Sequence, residues 1–597
     1  MSWWWRTKPR SILRAIQWFS DFAKLEGENW EEKSSSVSAW QSKPIHPARR
    51  KYIYNAHSVD EEKIGQLSFN DYLSGKFDDN DTESTGRQDK HAFELFGFGF
   101  VDNNGCINVT EVGKRIVEKK FDDEDCLKQL LKIYFPNNVQ SLKHCEQDDY
   151  VFPMQVFCLA LERFGYLNLS EISLLFGCNN INKIENVYAG IENFRTKYNL
   201  LENKKDDVKV LELFKESFIL AYGQLNIKPD SFYEYTDAFC RSLIYTGLFK
   251  SSGVGRAKKI RVYDFAKTKL NLINNNYSFE KKQFDSIESY MSWFGNPDST
   301  VLPWDTEDLR KLIISQKIEL IEDLKNNNEF TQKYTGNIDD LINEVVHKAK
   351  AKLADASKMS DLKDIEHELV SFITSVNEKQ YVDIYSKTKE ARKEILEKYD
   401  EIILDAIEMG ALWLEVNTWK SLLAIKGDKT VKRNFKVEED LTPKSFAPGI
   451  GNTPDMEMYA DDYIILPEVS LMTGVQQWEH EASSVIDHVF SFINNNSDKK
   501  VIGLFISSSL NIRTKWQFFI LNRESWIGKP VPVVPLTIKQ YREIIEVFYN
   551  HDLSINEFIG LVEKIKDCAL HSDTFNDWFI ATNNFISSWK VNTVFAS

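Results

Sequence analysis

The runs Met456-Glu457-Met458-Tyr459-Ala460 and Tyr463-Ile464-Ile465-Leu466 stand on either side of the pair Asp461-Asp462. Pro454-Asp455 precedes them and Pro467-Glu468-Val469-Ser470 follows. Apolar residues alternate along both runs, which reads as two antiparallel strands joined by a two-residue turn at Asp461-Asp462. A turn at that place sets the register. Tyr459 faces Ile464, Glu457 faces Leu466, and Asp455 faces Glu468. Opposed side chains have β-carbons about 4.5–5.5 Å apart, and like charges so placed repel. A divalent cation such as magnesium takes carboxylate oxygens together with waters, and would hold the two acids at that separation. An edge hairpin carrying two solvated acids is the alternative.

The stretch after Gly474 extends the pattern. Val475 to Phe490 has the spacing of a helix, and within it Glu481 and His488 lie seven residues, or two turns, apart. They therefore share one helical face and can both point back at the hairpin. Glu457, on the same hairpin face as Asp455, is a spare candidate ligand.

A chain of 597 residues is long enough for three or four domains. Its net charge of −15 argues against a protein that coats nucleic acid nonspecifically, although a local basic face is compatible with it. The seven cysteines include no CxxC pair, which fits free thiols in a reducing compartment better than disulfides or a zinc site. No uninterrupted apolar run approaches a membrane span, and the opening Met1-Ser2-Trp3-Trp4-Trp5-Arg6 lacks the apolar core of a signal peptide. The expectation is a cytoplasmic protein with no membrane contact.

The first half carries two similar units. Ile12 to Leu25 has helical spacing, and Arg49-Arg50-Lys51 is a basic cluster suited to phosphate contact or to a solvated patch. Arg87 to Phe96 reads as a helix that leads into Gly97-Phe98-Gly99-Phe100-Val101. A turn at Asp102-Asn103-Asn104-Gly105, the strand Ile107-Asn108-Val109 and a Thr110-capped helix follow. This is the order of a winged helix-turn-helix, in which the helix before the hairpin enters the DNA major groove. Arg87, Gln88 and Lys90 are of the types that read base edges or bind phosphate. The pattern returns with a helix from Tyr235 to Leu243 carrying Arg241, followed by a hairpin carrying Arg256, Lys258, Lys259 and Arg261. Those basic residues would lie along a phosphate backbone. A winged helix used only for packing or protein contacts is the alternative. Between the units, Leu169 to Ile181 is helix-turn-helix-like, and Gly295-Asn296-Pro297 reads as a closing turn.

Pro454-Asp455, then twelve residues, then Glu468-Val469-Ser470 resembles the PD-(D/E)xK nuclease signature, with Ser470 in the place of its lysine. Together with Gly451-Asn452, Met456-Glu457, Gly474, Glu481 and His488, it resembles the AlwI family of type IIS restriction endonucleases, which includes strand-nicking enzymes and shows the same lysine-free pattern. The resemblance implies a multidomain α+β protein. A winged-helix DNA-recognition half would fill residues 1–135 and 136–300, a helical linker residues 301–398, and an α/β PD-(D/E)xK-like nuclease domain residues 399–597.

It also implies that Glu415, on the helix before the nuclease sheet, joins Asp455, Glu468, Glu481 and His488 as catalytic. Asp455 and Glu468 would bind Mg2+, for which Mn2+ could substitute. Glu481 would bind a second metal or orient the attacking water, and His488 would contact phosphate or support a ligand. The expected activity is hydrolysis of a phosphodiester bond a few base pairs outside a short asymmetric site on double-stranded DNA. One such hairpin supplies one cutting centre, so the second strand needs a transient dimer, a separate small subunit or reorientation. Two other classes remain open: a winged-helix regulator with an inert nuclease-like domain, and a structure-specific repair nuclease.

Overall fold

The computed structural model describes residues 3, 5–7, 9–30, 82–139, 149–203, 206–224, 229–253, 258–324, 338–446, 453–474 and 477–596. Arg49, Arg50, Lys51, Arg256, Gly451 and Asn452 lie outside these residues. The chain divides into two compact units, Met1–Ile313 and Ile314–Ser597. Both contain helix and sheet, so the protein is of the α+β class.

In the first unit the helix Ile12–Ala23 buries Ile12, Ala15, Trp18, Phe19 and Phe22 along one face, the spacing that makes a helix amphipathic. A helix from Thr82 to Phe96 runs into strands β1 (Gly99–Val101) and β2 (Ile107–Val109), paired antiparallel with Phe100 opposite Asn108. The Asp102 carboxylate accepts from the backbone N–H groups of Asn104 and Cys106 at 2.9 and 2.8 Å, which closes the connecting turn. Thr110 then caps the helix Glu111–Val117 by accepting from Gly113 N at 3.0 Å. Gly113 must be glycine, because a β-carbon there would meet Phe98 O at 2.1 Å. The hairpin tip is fastened on two sides. Glu288 accepts from Asn103 N and Nδ2 at 2.9 and 3.0 Å, and Trp30 N donates to Gly105 O at 2.7 Å.

The second sheet of this unit has three strands. The helix Pro153–Phe164 leads to β3 (Leu167–Asn168), where Asn168 and Glu171 form a capping box for the helix Leu169–Leu175. After two further helices, the helix Pro229–Ile244 precedes β4 (Phe249–Ser252) and β5 (Lys259–Val262), and the strand order is β3-β5-β4. The tryptophan-rich opening serves as core material here. Trp3 and Trp5 are fully buried against Phe239, and the Trp3 indole donates to Cys178 O at 2.9 Å. At the expected closing turn, the buried Lys132 ammonium donates to Phe294 O and Asn296 O at 2.5 and 2.9 Å.

In the second unit, Ile342, Val346, Leu362, Ile365, Leu369 and Ile373 form a separate core between the helices Ile338–Asp355 and Met359–Asp383. The helix Lys389–Ile403 packs Ile395, Tyr399 and Ile402 into the core of the main sheet. That sheet has five strands in the order β10-β9-β8-β7-β6. They are β6 (Thr430–Arg433), β7 (Met456–Ala460), β8 (Tyr463–Ser470), β9 (Lys500–Ser507) and β10 (Val533–Thr537). The pairs β6-β7 and β7-β8 are antiparallel, whereas β8-β9 and β9-β10 are parallel. The parallel connections run through the helices Ala482–Asn495 and Ile512–Arg523, as parallel strands require. Cys106, Cys126, Cys158, Cys178, Cys240 and Cys568 are free thiols. Among the described residues no helix is long and apolar enough to cross a membrane.

Candidate active site

The hairpin turns at Asp461-Asp462, with Asp461 in the left-handed region at φ 41°, which aspartate tolerates better than most residues. The ladder has the expected register at Ala460↔Tyr463, Tyr459↔Ile464 and Met458↔Ile465, and there it stops. Beyond it β7 pairs only with β6, Glu457 opposite Lys432, while β8 continues beside β9. Pro467, which has no N–H to donate, lies two residues past the last pair. Asp455 therefore sits just before β7 and is not a ladder partner of Glu468, as the sequence register had it.

Side-chain bonds bring the two acids together instead. The Val469 N–H donates to Asp455 Oδ2 at 2.9 Å, and Asp455 N donates to Glu468 Oε2 at 3.4 Å. Glu468 is 7% exposed. Its other oxygen, Oε1, lies 2.6 Å from His488 Nδ1 on the helix Ala482–Asn495, which is anchored through Ala482, Val485, Ile486 and Val489.

Glu415 comes from the helix Gly410–Leu423, which buries Leu414, Val416 and Trp419 and packs on β8. Glu481 closes the π-turn Gln477–Glu481 that opens onto the helix at Ala482. Such turns recur at functional sites. Burial, then the charges of Glu468 and Glu415, holds the Asp455 carboxyl well above the usual carboxylate range. Burial, then Glu468 and Glu481, pushes Glu415 up to about 7. Burial also raises Glu468, against the pull of His488. For His488 burial acts to lower the pKa, and the bond to Glu468 outweighs it, so the imidazole is raised.

Asp455, Glu468 and Glu415 thus share one field, to which the charge of Glu481 adds. Among the described residues no three His, Cys, Asp or Glu side chains converge closely enough to enclose a metal ion. The donor set nonetheless suits a hard divalent cation, being carboxylate oxygens that burial and then their mutual charge leave short of a positive partner.

Glu457 stands apart from this group. Its carboxylate accepts from Lys432 Nζ at 2.8 Å, Asn434 Nδ2 at 2.9 Å and the Tyr459 hydroxyl at 2.6 Å. These donors occupy it in place of a metal. Lys432 and Asn434 gave no warning in the sequence because they belong to β6 and its edge, a strand of only four residues.

The basic candidates of the first unit divide in the same way. Lys258 is 4% exposed and pairs with Asp237 at 3.5 Å, and Arg241 Nε donates to the other oxygen of Asp237 at 2.8 Å. Both are held inside the fold, because a charge so deeply buried as Lys258 needs a partner. Lys259 is half-buried and Arg261 exposed, and both lie over the Tyr166 ring, 4.7 and 5.4 Å from its centroid. Arg195 lies 4.4 Å from the same ring, held by Glu171 at 2.7 Å. The sequence reading passed over Tyr166 because β3 joins β5 from far along the chain. In the first hairpin unit, Arg87 is exposed and Gln88 half-buried, while Lys90 is tied to the buried Glu94 at 3.0 Å. Arg87, Lys90, His91 and Trp30 line a cleft of about 520 Å3 beside the hairpin turn.

A family profile described as AlwI restriction endonuclease matches residues 96–544. Among solved structures, the small subunit of the heterodimeric restriction endonuclease R.BspD6I is similar at 21% identity. The likeness covers 33% of this chain and 98% of that one, with a TM-score of 0.28. No curated protein matches the chain.

Proposed function

The chain belongs to the AlwI restriction endonuclease family, and from that premise we propose that it is a type IIS restriction endonuclease or a site-specific nicking endonuclease. It binds a short asymmetric site on double-stranded DNA and hydrolyses a phosphodiester bond a few base pairs outside it. The observation that carries this reading is the set of carboxylates around the Asp455–Glu468 contact, with His488 bonded to Glu468.

Asp455, Glu468 and Glu481 would hold magnesium, or manganese in its place. The bound ion lowers the pKa of a water and polarises the phosphate. His488 fixes the orientation of Glu468 through the 2.6 Å contact, the role an outer partner plays for a ligating carboxylate. Glu415, with proton affinity near neutrality, is matched to accepting a proton from the attacking water.

For DNA binding, the strand order β3-β5-β4 behind the helix Pro229–Ile244 supports a winged helix. Lys259 and Arg261 supply its backbone contacts. On the helix before the first hairpin, whose tip is fastened by Glu288 and Trp30, Arg87 and Gln88 would contact the DNA.

The test is incubation of supercoiled plasmid with protein and magnesium, beside Asp455→Asn and a chelator. Open circles or discrete linear fragments are expected from the wild type, falling to background with the variant and with chelator. Cleavage that survives Asp455→Asn overturns the site. Plasmid that is bound and left intact in every metal favours a regulator.

A further inference from the structure

We infer that Gln477 is a positioning residue for cleavage, holding the turn that carries Glu481 against the ends of β8 and β9. The side chain is fully buried. Its amide nitrogen, with two hydrogens to donate, meets three acceptors: Ser509 O at 2.6 Å, Ser507 Oγ at 2.8 Å and Met472 O at 2.9 Å. Its oxygen accepts from Asn511 N at 2.7 Å.

Each partner belongs to a different part of the scaffold. Met472 follows the end of β8, two residues after Ser470. Ser507 is the last residue of β9, and Asn511 caps the helix Ile512–Arg523 by accepting from Arg513 N at 2.8 Å. One amide therefore ties the carboxyl ends of two adjacent parallel strands to the next helix, at the edge where open α/β sheets place their sites.

Gln477 is also the first residue of the π-turn whose last residue is Glu481. A π-turn holds one residue more than an α-turn, and losing it would rotate the segment by about 100°. The helix that follows is fixed by its buried face and by the His488–Glu468 contact. The rotation would fall on the turn and carry the Glu481 carboxylate away from Asp455 and Glu415. The four bonds of Gln477 oppose that.

This inference rests on the acid cluster being the cleavage site, and its test separates the two. Mn2+ binding to the full-length protein would be followed by electron paramagnetic resonance, and DNA cleavage would be resolved into kcat and KM. The variants are Gln477→Met and Gln477→Glu, both of similar length and without the full set of donors. Asn522→Leu is the control, because the buried Asn522 amide donates to Phe518 O and Val533 O, at 2.8 and 2.7 Å, away from the acid cluster. The Gln477 variants are expected to raise the Mn2+ concentration at half-saturation by about 10- to 100-fold, with kcat lowered and KM for DNA unchanged. Asn522→Leu should shift neither. The inference fails if both Gln477 variants bind Mn2+ as the control does while Asp455→Asn and Glu481→Gln abolish cleavage. If cleavage survives those two substitutions, the site itself is elsewhere.

Discussion

Glu415 keeps its proton up to about pH 7 because it is buried and because Glu468 and Glu481 act on it. In the unfolded chain a glutamate releases its proton near pH 4.5. Between these values the folded protein binds the extra proton, so the stabilisation is fully present below pH 4.5 and is lost as pH rises through 7. Asp455 and Glu468, raised in the same direction, add to the slope. Glu415→Gln removes the ionisable member while keeping its size. In metal-free buffer it is expected to stabilise the protein at pH 8 by about 1–2 kcal/mol, with no gain at pH 4. Thermal or urea unfolding of both proteins at the two pH values measures this. Equal differences at both would mean that Glu415 is not held in the shared field. Magnesium at pH 8 should stabilise the wild type in the same way, by supplying the missing positive charge.

The hairpin β4-β5 gives a prediction that separates charges by burial. Lys259 and Arg261 sit beside Tyr166 at the surface, whereas Lys258, one residue away, is turned inward to Asp237. Each phosphate contact contributes about one unit to the slope of log affinity against log salt. Lys259→Gln and Arg261→Gln should each lower that slope by about one and leave stability unchanged. Lys258→Gln should leave the slope alone and cost about 1–3 kcal/mol of stability, because it strips the half-buried Asp237 carboxylate of one partner. A slope that falls with Lys258 would place the hairpin differently. The alternation of strand residues could have flagged Lys258, since Ile260 beside it is fully buried, but a run of four basic residues reads first as a surface.

The same limit applied at the catalytic hairpin. Alternation and the Asp461-Asp462 turn gave the register of the three pairs nearest the turn. The ladder's end at Met458 depended on β6 and on a parallel neighbour far along the chain. The convergence of Asp455 and Glu468 was legible as a charge conflict, while its means, a side chain in place of a ladder partner, was not. The α+β class came from the family resemblance, with the strand and helix patterns around the hairpin agreeing with it. The coverage of the sheet by Tyr399 and Ile402 was not legible, because their helix reads as one more charged amphipath.

On the scale of the molecule, the candidate catalytic residues Glu415, Asp455, Glu468, Glu481 and His488 all lie in the unit Ile314–Ser597, and the basic hairpin lies in Met1–Ile313. On the proposed reading, the described residues of each chain bring one acid cluster to a substrate with two strands of opposite polarity. A single centre cannot meet both scissile phosphates in one orientation, so the second cut needs another chain or a new docking of the first. On a plasmid with one site, open circles should accumulate before any linear product. Where another chain makes the second cut, the linear product should form at a rate that rises with protein concentration after the nicking rate has saturated. Where the first chain docks again, that rate should be flat while open circles still accumulate first. Nicking depends on one bound chain, whereas recruitment of a second depends on how many are free. Linear DNA appearing together with the nick, at a rate independent of protein concentration, would rule out stepwise recruitment or re-docking after the nick. That outcome would demand two cleavage centres present together on the DNA from the start.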